Sequence, residues 1–234
     1  MYYPMYFDPT YILVLAGVAV SMIASAKMRS TFNRYSTVRS RSGMTGRDTA
    51  ERLLHSQGIY DVRVEHVSGS LTDHYDPRNK VLRLSDVTYN SASVAAIGVA
   101  AHECGHAVQH AKGYAPLSIR SALVPVVNFG SAVSWPLILA GLLINSRSAV
   151  MLLNLGILAF SLSVLFQIVT LPVEFYASNR ALRILGDTGM LYPDEVRDTR
   201  KVLTAAALTY VAGAAAAILQ LLRLLLISNS RRRD

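Results

Sequence analysis

Two histidines four residues apart bracket a glutamate in the stretch His-Glu-Cys-Gly-His at 102–106. If the stretch is helical, His102 and His106 lie one above the other on the same face, where one metal ion can bind both imidazoles. Zinc binds imidazole nitrogen at about 2.0–2.1 Å, usually in a tetrahedral site. Glu103 could accept a proton from a water molecule at the open position of the metal. The spacing therefore predicts a zinc hydrolase centre with two histidine ligands and a glutamate general base.

The flanking sequence predicts the elements that would position this motif. Residues 94–110 form a helical pattern, and Asn90 or Ser91 could cap the N-terminus of that helix. Residues 80–85 alternate between apolar and polar side chains, which predicts a β-strand. A strand before the metal helix is the order expected of a peptidase, because an edge strand can hold an extended peptide beside the zinc.

The composition indicates a membrane protein. Of the 234 residues, 52% are hydrophobic and only 16% are charged, which is too apolar for an ordinary soluble protein of this length. Four apolar runs approach the ~20 residues needed to cross a bilayer: 10–26, 123–144, 149–171 and 202–222. We therefore expect a mostly α integral membrane protein with about four transmembrane helices and a small, zincin-like α+β catalytic unit.

The apolar runs divide the chain into five parts. The first part, 1–26, is predicted to be a retained membrane anchor, because no Lys or Arg precedes its apolar run as in a signal peptide. The others are a cytoplasmic α+β catalytic unit at 27–121, a transmembrane hairpin at 122–171, a helix with the third zinc ligand at 172–201, and a C-terminal membrane helix with a basic tail at 202–234.

Basic residues indicate how these parts are oriented. Lys and Arg are frequent between 27 and 41, directly after the first apolar run, and such residues beside a span mark its cytoplasmic side. A hairpin at 122–171 would return the chain to that side, so 172–201 would share a compartment with the motif. The arginines at 231–233 oppose this orientation if the last helix crosses fully, and the sequence leaves that point open.

The third zinc ligand must come from outside the motif. His110 continues the histidine stripe, but it lies about 12 Å along the helix axis from His102, too far for both to bind one ion. Glu174 is the better candidate, because Pro172 suits the first turn of a new helix on which small residues surround the carboxylate. Gly105 would leave a matching gap on the metal helix. We favour a His₂Glu zinc site over a glutamate that only interacts with a helix N-terminus.

These motifs resemble the YugP-like family of neutral zinc metallopeptidases and, more distantly, the HtpX-like and CAAX-processing membrane metallopeptidases. The resemblance covers most of the chain. It rests on His-Glu-x-x-His, two following hydrophobic spans, Glu-Phe-Tyr-Ala-Ser-Asn-Arg-Ala at 174–181, and matching segments at 43–48, 60–64, 71–78 and 84–85. It implies His102, His106 and Glu174 as zinc ligands and Glu103 as the base.

Other residues of the centre are less defined. The HtpX-like pattern has an aspartate four residues after the glutamate ligand, where this chain has Ser178; its hydroxyl can accept an imidazole N–H but carries no charge. Candidates for stabilising an oxyanion are Tyr176, Arg180, Tyr114 and His74. The sequence does not choose among them.

The soluble part has three further local signals. Residues 45–57 predict an amphipathic helix that ends at Gly58. Residues 61–67 alternate like a strand, and 73–76 before a proline predict a turn. Cys104 is the single cysteine, and we expect it to be a small buried apolar residue.

The expected activity is that of a zinc-dependent metalloendopeptidase. Expected partners are a peptide or membrane-protein substrate and the lipid bilayer of a prokaryotic cell, with the active site on the cytoplasmic side. A homo-oligomer is compatible with the sequence. Nucleic acid is not an expected partner, because the basic residues cluster beside the spans.

Two alternatives come from other functional classes. A non-enzymatic zinc-binding membrane scaffold or transporter would need a structural zinc site, which usually has four ligands, mostly cysteines; one cysteine disfavours it. A membrane amidase or esterase acting on a non-peptide substrate would use the same site chemistry.

Overall fold

The computed structural model describes residues 8–144 and 147–231. It confirms the expected fold class, a mostly helical chain with a small sheet. The elements in chain order are α1 Tyr11–Ser36, α2 Gly46–Ser56, β1 Arg63–Val67, β2 His74–Asp76, β3 Val81–Ser85, α3 Asp86–Tyr89, α4 Val94–Ala111, α5 Ala115–Leu143, α6 Arg147–Asp187 and α7 Pro193–Arg231.

The chain forms two compact units. The helical unit contains the residues up to Ala24, Ile119–Val169 and those from Tyr210 onward, and the α+β unit contains Ser25–Ser118 and Thr170–Thr209. Within the described residues, the four helices α1, α5, α6 and α7 are long and apolar enough to cross a membrane. The four helices correspond to the four apolar runs of the sequence. The chain is therefore an integral membrane protein.

Polar contacts connect the C-terminal part of α7 with the end of α5 and with the segment before α1. Arg231, in the last turn of α7, donates to the carbonyl of Gly141 at 2.6 Å, near the C-terminus of α5. Arg223 lies 3.6 Å from the carboxylate of Asp8, just before α1. The end of α5 therefore lies beside the end of α7, and the segment before α1 lies beside α7 about two turns earlier.

The sheet of the α+β unit has the order β1-β3-β2, with β1 parallel and β2 antiparallel to β3. Strand β3 is therefore central, and the prediction that it offers an edge to an extended peptide is wrong. The predicted turn at 73–76 instead contains strand β2. A turn follows directly after β2, where the Asp76 carboxylate accepts from the backbone N–H groups of Arg78 and Asn79. Three residues are too few for an alternating pattern to emerge from the sequence.

Helix α2 forms as predicted and anchors the core of this unit. Thr45 and Asp48 make a reciprocal capping box at its N-terminus, and Gly58 has a positive φ of 73° just beyond its C-terminus. Leu53 and Leu54 on its apolar face are buried in a cluster with residues of β3, α4 and α6. This cluster gives the metal helix α4 a packed support.

Helix α4 begins at Val94, as the helical pattern predicts, but its cap lies two residues after Ser91, the nearer of the two predicted caps. Ser93 is the N-cap residue, and its hydroxyl accepts from the backbone N–H of Ala96 at 3.2 Å. The short helix α3 occupies the preceding segment, so that Asn90 ends α3 and does not begin α4. Ser91 still takes part, because its hydroxyl donates to that of Ser93 at 3.0 Å.

Helix α6 is continuous from Arg147 to Asp187 and contains Pro172 in its interior. The predicted start of a new helix at Pro172 is therefore wrong. Proline removes one backbone hydrogen bond, but apolar helices that span membranes tolerate it where neighbouring groups compensate. Glu174 consequently lies inside a long helix and not at a helix N-terminus.

Helices α4 and α6 approach closely at Gly105, as the sequence predicts. A Cβ atom at this position would lie 2.5 Å from the backbone oxygen of Ala177 and 3.0 Å from its Cα. Both Gly105 and Ala177 belong to the α+β unit. Any side chain at position 105 would push the two helices apart, because the opposing atoms are backbone and cannot rotate away.

We predict that Gly105→Ala lowers the stability of the protein by about 1–3 kcal/mol, the usual cost of overpacking. Gly186→Ala is the matched control, since it is also helical and its Cβ would meet no atom within 4 Å. The control should be neutral or stabilising by up to about 1 kcal/mol through helix propensity. The measurement is the apparent unfolding midpoint of the two detergent-solubilised variants. Equal midpoints would contradict the close approach.

Candidate metal centre

His102 and His106 stand one above the other on α4, with ring centroids 4.8 Å apart. Glu174 on α6 reaches both rings: its Oε2 lies 3.2 Å from Nε2 of His102 and 3.6 Å from Nε2 of His106. One ligand atom from each of the three residues falls within 4.8 Å of the others. Within 8–144 and 147–231, this is the one cluster of His, Cys, Asp and Glu arranged to hold a metal ion.

The cluster is buried, which matters most for Glu174. This side chain is 2% exposed, and a carboxylate at that depth is costly unless cationic or hydrogen-bonding groups compensate its charge. Its position in the interior of α6 excludes the alternative that it only interacts with a helix N-terminus. The two imidazoles that face it are compensating groups, and a shared cation would be another.

The Nδ1 atom of each imidazole is engaged on the side away from Glu174. Nδ1 of His102 lies 3.0 Å from the hydroxyl of Ser178, one helical turn after Glu174 on α6. Nδ1 of His106 lies 2.9 Å from Oε1 of Gln109. With the ring protons on Nδ1, both Nε2 lone pairs face the carboxylate, as a metal site of this type requires.

Electrostatics at His106 favour a positive charge in the cluster. Burial alone would lower the pKa of this imidazole. The hydrogen bond to Glu174, the negative charges of Glu103 and Glu174, and the contact with Gln109 together raise the pKa above its usual value. A proton and a metal ion would compete for the same nitrogen, so metal binding should weaken as the pH falls.

The donor set fits zinc in a catalytic site. Such sites have three protein ligands and keep one position open for water or substrate, and two imidazoles with one carboxylate are a known combination. Cys104 adds no thiolate to this set. Its side chain is fully buried and its Sγ lies 3.6 Å from the backbone oxygen of Ala50. Burial raises the pKa of the Cys104 thiol well above its usual value, as expected of a small apolar core residue.

Glu103, the predicted base, is 9% exposed and lies next to His102 in α4. Its charge contributes to the raised pKa of His106, which places it in the electrostatic field of the cluster. The carboxylate is therefore near the imidazoles and largely screened from bulk solvent.

The side chains expected to stabilise an oxyanion have partners outside the cluster. Tyr176 stacks on Tyr114 with ring centroids 4.5 Å apart. Arg180 donates to Oε1 of Gln57 at 2.9 Å. His74 lies on β2, where its Nδ1 is 2.9 Å from the backbone oxygen of Thr72. These contacts do not select one of the candidates.

His110 is separate from the metal cluster, in agreement with its distance along α4. The hydroxyl of Tyr75 lies 2.8 Å from its Nδ1, and this contact links strand β2 to the end of α4. Burial raises the pKa of Tyr75 to about 12, so the phenol keeps its proton at neutral pH.

Gln109 is the residue of the site that sequence reasoning missed. It is fully buried, contacts His106 through Oε1, and donates from Nε2 to the backbone oxygen of Val173 at 2.8 Å. Its position three residues after His106 on a helix was the available signal, because such residues are neighbours on the helix surface.

The fold and the cluster define a membrane protein with a buried His–His–Glu group that could hold a metal ion, and comparison with known proteins agrees with this class. The family model described as "Putative neutral zinc metallopeptidase" matches residues 10–229. The chain is 48% identical over 215 residues to "Putative membrane protease YugP" of Bacillus subtilis (strain 168), which covers 92% of this chain and 94% of that protein. No solved structure matches the chain.

The chain therefore belongs to this neutral zinc metallopeptidase family, and the resemblance seen in its motifs is confirmed. Zinc is accordingly the metal that the family implies, and the three donors present are of the types that zinc binds.

We predict that the Cys104 thiol is unreactive in the folded protein, because it is buried and its pKa is raised. A maleimide should label it at least about 100-fold more slowly than in denatured protein, since labelling requires local opening. Arg52→Cys in a Cys104→Ala background is the control, because position 52 is exposed on α2. Similar labelling rates for the two cysteines would contradict the burial of Cys104.

Proposed function

We propose that this chain is a zinc-dependent membrane metallopeptidase that hydrolyses peptide bonds in membrane-associated or membrane-proximal proteins and peptides. The observation that carries the proposal is the convergence of His102, His106 and Glu174 in one buried cluster. Membership of a zinc metallopeptidase family and similarity to a membrane protease support it.

In this proposal His102, His106 and Glu174 hold the zinc through two Nε2 atoms and one carboxylate oxygen. When bound, zinc supplies Lewis-acid chemistry: it polarises a carbonyl group and lowers the pKa of water to about 7. Glu103 accepts the proton of the attacking water and passes it to the leaving amine. Ser178 and Gln109 hold the Nδ1 atoms of the two imidazoles, which keeps both Nε2 atoms directed at the ion.

The proposed location of this chemistry is the cytoplasmic face of a cell membrane. The basic residues directly after the first apolar run, including Lys27 and Arg29, support that orientation, because such residues mark the cytoplasmic end of a span. Each of the four membrane helices is joined in sequence to the α+β unit. This continuity of the chain supports substrates that are themselves membrane-associated or membrane-proximal.

Two alternatives remain as outcomes of experiment. A structural zinc site would usually have a fourth protein ligand, often cysteine, whereas the described cluster has three donors and Cys104 is buried elsewhere. A hydrolase for a non-peptide amide or ester would share every catalytic group. Comparing the proteins of membranes that contain the active form with those that contain the Glu103→Gln form separates a peptidase from both alternatives. Only a peptidase generates new protein termini.

We predict that Glu103→Gln retains zinc but lowers peptide cleavage by about 10²–10⁴-fold, because the amide cannot accept the water proton. Glu51→Gln is the matched control. It makes the same charge change at a half-buried residue that pairs with Arg47 outside the cluster, and it should leave cleavage unchanged. The measurements are zinc content and peptide turnover of purified protein. Turnover at the wild-type rate in Glu103→Gln would rule out Glu103 as the base.

We predict that Glu174→Ala reduces bound zinc from one ion per chain to a small fraction, because removing a ligand opens a three-donor site. Glu195→Ala is the matched control, since it removes another buried glutamate from the same α+β unit. The control should lose stability but keep its zinc. Metal analysis after desalting gives the stoichiometry. An unchanged zinc content in Glu174→Ala would place the third ligand elsewhere.

A further inference from the structure

We propose that Gln109 is a positioning residue of the metal centre: its amide fixes the ring orientation and tautomer of His106 and ties that ring to the α6 backbone beside Glu174. The inference rests on the proposed function, because it assigns to Gln109 a role in binding the zinc that His106 and Glu174 would hold.

The first step is the placement of the side chain. Gln109 is fully buried and lies one turn after His106 on α4. Its Oε1 is 2.9 Å from Nδ1 of His106, and its Nε2 is 2.8 Å from the backbone oxygen of Val173. Val173 directly precedes Glu174 on α6. One amide thus connects a ring on the first helix to the turn that carries the carboxylate on the second.

The second step is the direction of each hydrogen bond. A backbone oxygen can only accept, so the Gln109 atom that faces Val173 must be the amide nitrogen. The atom that faces His106 is then the amide oxygen, which can also only accept. Nδ1 of His106 must therefore carry the proton, and in the neutral ring Nε2 keeps its lone pair toward Glu174.

The third step is a comparison of the two histidines. The partner of His102 is the hydroxyl of Ser178, which can donate or accept and so does not impose a tautomer. The partner of His106 is an amide whose orientation is set by the backbone. His106 is consequently the more strongly constrained ring, and Gln109 is the reason.

Burial of Gln109 constrains both hydrogen bonds of its amide group. Breaking one hydrogen bond of a fully buried amide leaves a polar atom without a partner, so burial favours forming both bonds of Gln109 together. A rotation of the His106 ring would break one of them. Groups that orient metal-binding histidines in this way typically change metal affinity by about 10–100-fold when removed.

The test is the zinc affinity of purified full-length protein in detergent, measured by competition with a chromophoric chelator. Gln109→Met keeps the volume but removes acceptor and donor, and should weaken zinc binding by about 10–100-fold. Gln109→Glu should restore affinity to within about threefold. The substituted carboxyl group keeps an oxygen acceptor toward Nδ1 of His106, which is the contact proposed to orient the ring.

Thr49→Val is the matched control, because it removes another hydrogen bond of a fully buried side chain in the α+β unit, from Thr49 to the backbone oxygen of Thr45. It should lower the unfolding temperature without changing zinc affinity. If Gln109→Met fails to fold, Gln109→Asn replaces it, since its side chain is one methylene shorter and cannot reach both partners. Weakened zinc binding in that variant supports the proposal, and wild-type affinity overturns it.

Two outcomes separate this inference from the proposed function. If the wild-type protein binds no zinc, or binds it equally well after His106→Ala, the proposed function fails and the role of Gln109 fails with it. If the wild type binds zinc through His106 and Gln109→Met binds it as tightly, only the role of Gln109 is overturned. A loss of affinity that Gln109→Glu restores supports both.

Discussion

A carboxylate buried between two imidazoles is the interaction on which the rest of the structure depends. Glu174 lies 3.2 and 3.6 Å from the facing ring nitrogens of His102 and His106, at a depth where an uncompensated charge would be costly. The rings can compensate it as imidazolium groups or by sharing a metal ion with it, and the second arrangement uses all three as ligands. Helices α4 and α6 must therefore meet without an intervening side chain, which Gly105 permits.

Local residue chemistry makes much of this site predictable from the sequence. The four-residue spacing of His102 and His106 requires only that the segment be helical, and small residues around Glu174 indicate a close helix contact. The proximity of Ser178 to His102 follows from the same helical spacing on α6. The four spans follow from length and apolar composition, and the capping residue Thr45 marks the start of α2.

Features that depend on tertiary packing are not predictable in this way. The helix α6 continues through Pro172, because helices that span membranes tolerate the backbone hydrogen bond that a proline removes. Strand β3 is central because β2, only three residues long, pairs with its other edge. The role of Gln109 depends on a backbone oxygen 64 residues away in sequence, at Val173, and no local pattern encodes that meeting. Tertiary context overrides local propensity in each case.

X-ray absorption at the zinc edge of purified full-length protein tests the central claim most directly, because it reports which atoms surround the ion. The account predicts one zinc per chain, with two imidazole nitrogens at about 2.0–2.1 Å and oxygen at about 2.0–2.2 Å. A protein that retains no zinc, or a zinc–sulfur distance of about 2.3 Å, would contradict it.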